Sequence, residues 1–427
     1  MRILIAGGDG FCGWPTSLHL SAAGHEVVLI DNLMRRRWDE ELHSGSLTPI
    51  AELQQRVAVW QQYSGRSITA EIVDLTDEGQ LFEVIARVRP EATVHFAEQS
   101  SAPYSMIDAS HAVATQVNNV VGTLNLLFAI RDFAPDCHLV KLGTMGEYGT
   151  PDIDIEEGYI EIEHNGRCDV LPYPKQPGSF YHLSKVHDSD NILFACRTWG
   201  LRATDLNQGI VYNVQTEHTA AHPGLVNRYD YDAVFGTVLN RFCVQTALGG
   251  PLTVYGEGGQ TRGFIDLRDT VRCIELAIET PPPAGQMRVM NQFTQQFSVA
   301  ELAALVAKVA ARKGIEVEIR KVGNPRVERE RHYYKAAHSA LVNLGLKPHL
   351  MSEETIERLI SIAIEHRGRA RKETILPSIR WRDGGAMHSP VRVDGEASGE
   401  AADRLEATMR WRRGDSAAAG FARGRMG

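Results

Sequence analysis

The sequence predicts a doubly wound α/β protein, a parallel sheet with helices on both faces, followed by a smaller C-terminal α/β domain. Three observations carry this. Short apolar, partly β-branched runs alternate with helical stretches through the first half of the chain. The first run, Ile3-Leu4-Ile5-Ala6, leads directly into Gly7-Gly8-Asp9-Gly10-Phe11-Cys12-Gly13. A second, Val27-Val28-Leu29-Ile30, ends on Asp31, 18 residues beyond Gly13. Strand, glycine turn, helix, strand and terminal acid in that order are the opening of a Rossmann-type sheet. Pro15 falls in the first turn of the helix, where its missing N–H costs nothing, and Gly24 suits the helix end.

Glycines are needed where a pyrophosphate must approach backbone N–H groups at a helix N-terminus. Gly7, Gly10 and Gly13 satisfy the spacing, as do Gly8, Gly10 and Gly13, with Phe11 and Cys12 inside the turn. A carboxylate at Asp31 can accept both ribose hydroxyls of NAD and would repel the 2′-phosphate of NADP. Asn32 and Arg35 lie beside it on the cofactor side, and Arg35, Arg36 and Arg37 leave NADP open as the alternative. A strand-turn-helix that binds nothing is the bland reading of the same residues.

The chain has 427 residues, 43% of them hydrophobic, enough for one large core or two modest ones. A formal charge of −8 argues against a nucleic-acid surface. No apolar run reaches bilayer length and the chain opens on a strand rather than a signal segment, so a cytoplasmic protein without membrane insertion is expected. Six cysteines (Cys12, Cys137, Cys168, Cys196, Cys243 and Cys273) lack ligand spacing, so they are expected reduced, buried or half-buried, with no metal site.

Between Arg35 and Ser64 the chain is polar, and Thr48-Pro49 reads as a helix cap and first helical position within Leu47–Leu53. Thr69–Leu75 is a strand that brings Asp74 and Leu75 to the adenine; alternatively Asp74 caps the next helix. Gln80–Arg89 reads as helix and Ala92–Ala97 as strand, so Glu98 to Ser105 face the crevice. In the following helix, His111–Phe133, Asn118 either serves the cofactor or bridges locally. Cys137–Gly143 is a strand from which Thr144 emerges, and Phe180-Tyr181-His182-Leu183-Ser184-Lys185 opens a helix running to about Trp199. Leu201–Tyr212 is the next strand, with Val211 beside the cofactor and Gln208 toward substrate.

Tyr181 and Lys185 are four apart and share a helix face. An ammonium there lowers the phenol pKa, so that Tyr181 can take a hydroxyl proton while hydride leaves to NAD, and Thr144 holds the same oxygen. An ordinary Tyr/Lys surface pair is the alternative. Arg262, from a glycine loop between two short strands, and Arg326, from Asn324–Glu328, suit the diphosphate of a nucleotide sugar, or else form surface ion pairs. Ser298 with Glu301 caps an amphipathic helix, and Ser352–His366 is another. These features divide the chain into an NAD-binding domain, 1–210, with a later contribution near 230–260, a mainly nucleotide-sugar-binding domain, 211–383, and a Gly/Ala/Ser/Arg-rich disordered tail, 384–427.

The runs Ser101–Asp108, Cys137–Gly149, Ile153–Tyr159, Tyr181–Asp188, Ala203–Gly209 and Tyr229–Arg262 resemble the extended short-chain dehydrogenases/reductases that act on nucleotide sugars. More narrowly, they resemble the sulfite-using branch that makes the sulfolipid head group. The likeness spans nearly all of residues 1–383. It implies that UDP-glucose and sulfite give UDP-sulfoquinovose through a 4-keto, 5-ene intermediate, with NAD recycled, in an enzyme that forms a carbon–sulfur bond and is classed with carbon–sulfur hydrolases. It also implies a homodimer and substrate contacts from Gln208, Tyr104 and Arg241 beside Arg262 and Arg326. Sugar 4,6-dehydratases carry an Asp-Glu pair after the threonine. Here those positions are Met145 and Gly146, leaving Glu147 and His182 as proton carriers for C5 and the C6 hydroxyl and room at Gly146 for sulfite. Ser100 stands where the related pattern has an arginine, so the cation that receives sulfite is open, as is delivery of sulfite free or from a protein donor. A UDP-glucose 4-epimerase or nucleotide-sugar 4,6-dehydratase needs the same Thr144, Tyr181 and Lys185, and a non-catalytic NAD-sensing protein would need none of them.

Overall fold

The apolar runs form one parallel sheet: β1 (Arg2–Ala6), β2 (Glu26–Asp31), β3 (Ile68–Ile72), β4 (Ala92–His95), β5 (His138–Thr144), β6 (Arg202–Gln208) and β7 (Met287–Gln292), in the spatial order β7-β6-β5-β4-β1-β2-β3. The computed structural model describes residues 1–329 and 331–381, so the expected tail at 384–427 lies outside the described residues. Helices cover both faces, which is why Ile3, Leu4, Ile5 and Ala6 are all fully buried rather than alternately so. One face packs with Trp14, Leu18 and Trp60, the other with Leu81, Ile85, Leu126 and Ile192. A second apolar core gathers around the helix Val238–Ala247 and the helices Val299–Arg312 and Glu353–Glu365.

Several boundaries differ from the sequence expectations. The seventh strand of the sheet, β7, returns late in the chain and pairs in parallel with β6. The strand expected over Leu201–Tyr212 breaks at Gly209, where a Cβ would lie 2.6 Å from the Gly263 carbonyl oxygen; Ile210–Tyr212 then joins Thr261–Asp266 and Gln295–Ser298 in a separate sheet. Thr48 and Pro49 start no helix: Thr48 donates to the Asn227 carbonyl at 2.6 Å, and helix α3 (Leu53–Ser64) begins later. Ahead of it, α1 (Gly13–Ala22) and α2 (Met34–Glu41) are helical, and Cys168 is exposed on the hairpin Tyr159–His164/Arg167–Pro172 rather than half-buried.

After α4 (Glu78–Val88), the long helix is α5 (Ala109–Gln116) and α6 (Gly122–Phe133) joined by a π turn at Val117–Val121. By length and composition this 25-residue unit reaches a bilayer span, with an 18-residue stretch of mean hydropathy 1.3, which corrects the expectation that no apolar run does. It packs beside α4 and α7 (Phe180–Trp199) on the sheet.

The glycine turn is anchored to α3 by charge. Asp9 accepts from Arg56 Nη1 at 2.8 Å and from Arg36 Nε at 2.7 Å, with Arg56 fully buried over the Trp14 ring. Asp9→Asn leaves that guanidinium buried and uncompensated and is expected to destabilise the fold by about 3–5 kcal/mol, read from urea unfolding.

Candidate active site

A cleft of about 660 Å³ opens at the C-terminal ends of the strands. Gly7 (φ +83°) approaches so closely that a Cβ would lie 2.6 Å from Ala97 N, and a Cβ on Gly13 would lie 2.1 Å from the Gly7 carbonyl oxygen. Gly8 instead faces the Leu29 side chain, and it is Gly7, Gly10 and Gly13 that line the cleft with Phe11 and Cys12. The turn therefore leaves open, at the N-terminus of α1, the cradle a pyrophosphate requires.

Asp31 stands at the end of β2 with Oδ2 accepting from Asp9 N at 2.9 Å and Oδ1 from Leu33 N at 2.7 Å. Burial and the neighbouring Asp9 raise it to about 6 against the pull of those amides. Asn32 donates to Asp74 at 2.9 Å, and both line the cleft beside Leu75. Asp74 does not cap the following helix. It accepts from Thr76 instead, and Asp77 is the cap. Arg35 lines the cleft but is paired with Asp39 and Asp230, and Arg36 with Asp9; these guanidiniums are committed to carboxylates, which removes the main support for an NADP phosphate. Asn118 lines the cleft and also bridges locally to Asn119 at 2.9 Å; Gln208 and Val211 close the far side.

The two segments expected to carry the chemistry line one cleft, which brings Thr144, Tyr181, His182 and Lys185 together. Ser179 caps α7, and the Ser105 hydroxyl accepts the Tyr181 N–H at 3.0 Å, aiming the first turn into the cleft. The Thr144 side-chain oxygen accepts from Gly146 N at 3.1 Å, and Thr144 and Tyr181 both line the cleft. Lys185 behaves otherwise than expected. Its ammonium lies 2.7 Å from Glu98 Oε2 and donates to the Leu142 carbonyl at 2.6 Å, with 6.0 Å to the centre of the Tyr181 ring. Burial, with Glu98 and Glu147 adding to it, pushes the phenol well above its usual value against the pull of Lys141, where a lowered value was expected.

Glu147 is no exposed proton carrier. It is fully buried, accepting from Lys175 at 2.6 Å, Ser189 at 3.0 Å and Lys141 at 3.3 Å, and it holds Thr144 N at 3.3 Å. Those cations hold it ionised despite burial. His182 does face the cleft, its Nδ1 3.0 Å from the Ser179 hydroxyl, and burial with Arg326 and Arg262 nearby lowers it to about 3. A Cβ on Gly146 would lie 2.3 Å from His182 Nε2, so the space at Gly146 belongs to this imidazole and not to sulfite. Met145 lines the cleft and packs in an apolar cluster with Tyr148, Tyr173 and Phe293.

Arg262, on a strand rather than a loop, and Arg326 both line the far end of the cleft, Arg262 held by Glu328 and the Thr261 carbonyl and Arg326 lying over the Trp381 ring. Two expected substrate residues fall outside it. Tyr104 donates to Glu41 at 3.2 Å and packs on Trp38, and Arg241 is spent on Tyr255 at 2.6 Å and the Thr253 carbonyl at 3.1 Å. Ser100, in contrast, lines the cleft. Glu98 was not singled out from sequence; a charged residue directly after a buried strand was the available signal.

Residues 3–291 match the NAD dependent epimerase/dehydratase family. The chain is 58% identical over 392 residues to the chloroplastic UDP-sulfoquinovose synthase of Spinacia oleracea, covering 92% of this chain and 81% of that one. It is 46% identical over 385 residues to the UDP-sulfoquinovose synthase of Sulfolobus acidocaldarius, covering 90% and 98%. Its fold is similar to that of a UDP-glucose 4-epimerase from Thermotoga maritima solved with UDP-glucose, with TM-score 0.64 at 19% identity over 87% of this chain and all of that one. The Thermus thermophilus enzyme solved with NAD gives TM-score 0.59 at 22% identity, over 87% of this chain and all of that one. With a family match over residues 3–291, most of the chain, it belongs to the NAD dependent epimerase/dehydratase family.

Proposed function

We propose that the protein converts UDP-glucose and sulfite to UDP-sulfoquinovose, forming a carbon–sulfur bond. The observation that carries this reading is the imidazole of His182 seated against Gly146, beside Thr144 and Tyr181, where an acidic pair would serve a simple dehydratase. The identity to two synthases supports it. Gly7, Gly10, Gly13 and Asp31 would hold NAD, which when bound accepts hydride from C4 of the sugar and returns it at the end.

Arg262 and Arg326 take the diphosphate, whose charge offsets the two cations that add to burial in depressing His182. Thr144 and Tyr181 hold the C4 oxygen, and Tyr181 receives its proton and gives it back. Oxidation at C4 acidifies C5–H. His182 takes that proton and passes it to the departing C6 hydroxyl, which leaves as water. The sulfur lone pair of sulfite then adds to C6 of the 4-keto-5-ene and a proton returns to C5. Lys185 and Glu147 act from beneath, steadying α7 and Thr144. The six cysteines are all unpaired, which supports a reducing, cytoplasmic setting.

We also infer a homodimer. Val113, Val117 and Val121 follow at four-residue spacing on α5 and the π turn, and with Phe194 on α7 they are large apolar side chains left exposed on one layer of the sheet. Light scattering is expected to give twice the chain mass, falling to one for Val113→Asp with Phe194→Asp.

Purified protein incubated with NAD, UDP-glucose and labelled sulfite is expected to yield a labelled anionic UDP-sugar; UDP-galactose or an unlabelled 4-keto-6-deoxy sugar instead would reject the reading. Turnover on free sulfite alone argues against an obligatory protein donor. Tyr181→Phe should abolish turnover with NAD still bound, whereas His182→Ala should keep transient reduction of NAD by UDP-glucose and lose the product. Because Asp31 is protonated below about pH 6, NAD affinity is expected to be flat above that value and to fall by up to about tenfold per pH unit below it. Fluorescence titration would read this, with Asp31→Asn weaker throughout and pH-independent.

A further inference from the structure

Glu98 lies beneath the cleft in a setting that the reaction proposed above leaves without a task. Its side chain is 1% exposed, and both carboxylate oxygens are sealed from solvent, so it cannot exchange a proton with a bound sugar. It faces Lys185 at 2.7 Å from α7 and His95 at 3.6 Å from β4. The segment that carries it is held in place. Glu98 N donates to the Phe96 carbonyl at 2.7 Å, closing a tight turn at the end of β4. The next residue, Gln99, is gripped at both backbone groups by Asn119 of the π turn, which accepts from Gln99 N at 2.7 Å and donates to Gln99 O at 3.0 Å. The same Asn119 amide donates to Ser184 Oγ at 2.8 Å, on α7 between Tyr181 and Lys185. One fully buried asparagine therefore locks the Glu98 turn to the helix that carries the phenol and the ammonium.

We propose that Glu98 is a positioning residue for hydride transfer, the counter-ion that fixes the Lys185 ammonium against the cleft floor and cancels its field at Tyr181. The inference rests on the assignment of Tyr181 to the chemistry at C4. The other charged and titratable groups around the phenol are Lys141 from β5 and Glu147 from the turn after it, which are paired with each other, and neutral His182 beside it. Behind Glu98, burial keeps His95 neutral, lowering it to about 4, and burial with the Glu98 charge pushes Asp188 up. Glu98 and Lys185 are thus a neutral pair at the base of the site. Tyr181 remains a phenol until further positive charge enters the cleft, which ties its ionisation to an occupied site.

The test is a cycle on the full chain in the cofactor state in which it is purified. Tyr181 ionisation is read as the tyrosinate absorbance lost when Tyr181→Phe is added to each background. Glu98→Gln is expected to lower the Tyr181 ionisation by about one to three pH units, with the limb of the kcat–pH profile moving the same way and NAD affinity unchanged. Removing both partners in Glu98→Gln/Lys185→Met leaves no unpaired buried charge, so this variant tests the proposal even if the single one does not fold. Tyr181 is expected to ionise there at its wild-type pH. A rise by a unit or more in the double variant, or an unmoved Tyr181 in Glu98→Gln, overturns the proposal. Failure of the wild type to use sulfite would count against the proposed reaction and leave this titration to decide on Glu98.

Discussion

The close approach of the glycine turn to the end of β4 is the constraint on which the rest of the cleft depends. With the space of a Gly7 Cβ taken by the Phe96–Ala97 backbone, the cofactor cradle and the Glu98 turn are parts of one packed surface. A side chain at either glycine contact would separate β1 from β4 or lift the start of α1, and the strand ends would no longer share a floor. From that floor β5 delivers Thr144, and α7 crosses above with Tyr181 and Lys185.

Charge is buried beneath this floor in quantity, and the arrangement is one of pairing. Lys141, Glu147, Lys175 and Asp205 form one group tied together by Ser189, and Glu98, Lys185, His95 and Asp188 form another. An isolated ion in such a place would neutralise itself by shifting its pKa. Pairing keeps Glu98, Glu147 and Lys141 ionised and leaves little net field on the cleft. The consequence is geometric: side chains that would otherwise sample several rotamers are held in the one that supports Thr144 and α7.

Met145 and Gly146 follow the same logic. Met145 fills an apolar cluster, and the missing Cβ of Gly146 admits His182. The imidazole is kept neutral by burial first and by the two nearby guanidiniums second, whereas a carboxylate pair would bring its own charge. A site of this kind can accept an anionic nucleophile with less repulsion than one lined with carboxylates.

Local pattern was enough for the elements and the order in which they appear: apolar runs read as strands, the glycine turn, Asp31 at its strand end, and Thr144 with Tyr181 and Lys185, because each depends on neighbours in sequence. Boundaries that depend on distant contacts were not legible, such as the break at Gly209 forced by Gly263, or the loop at Thr48 held by Asn227. The same holds for side-chain roles. Tyr104 and Arg241, expected from the family likeness, and Glu147, expected from its type and position, are claimed by Glu41, Tyr255 and the Lys141–Lys175 pair. What the sequence by itself determined is the fold and the order of the segments that meet at the cleft, since periodicity and spacing are local. The tertiary structure alone decided which charges face the cleft and which are spent beneath it, because a charge takes its meaning from partners brought near only by folding.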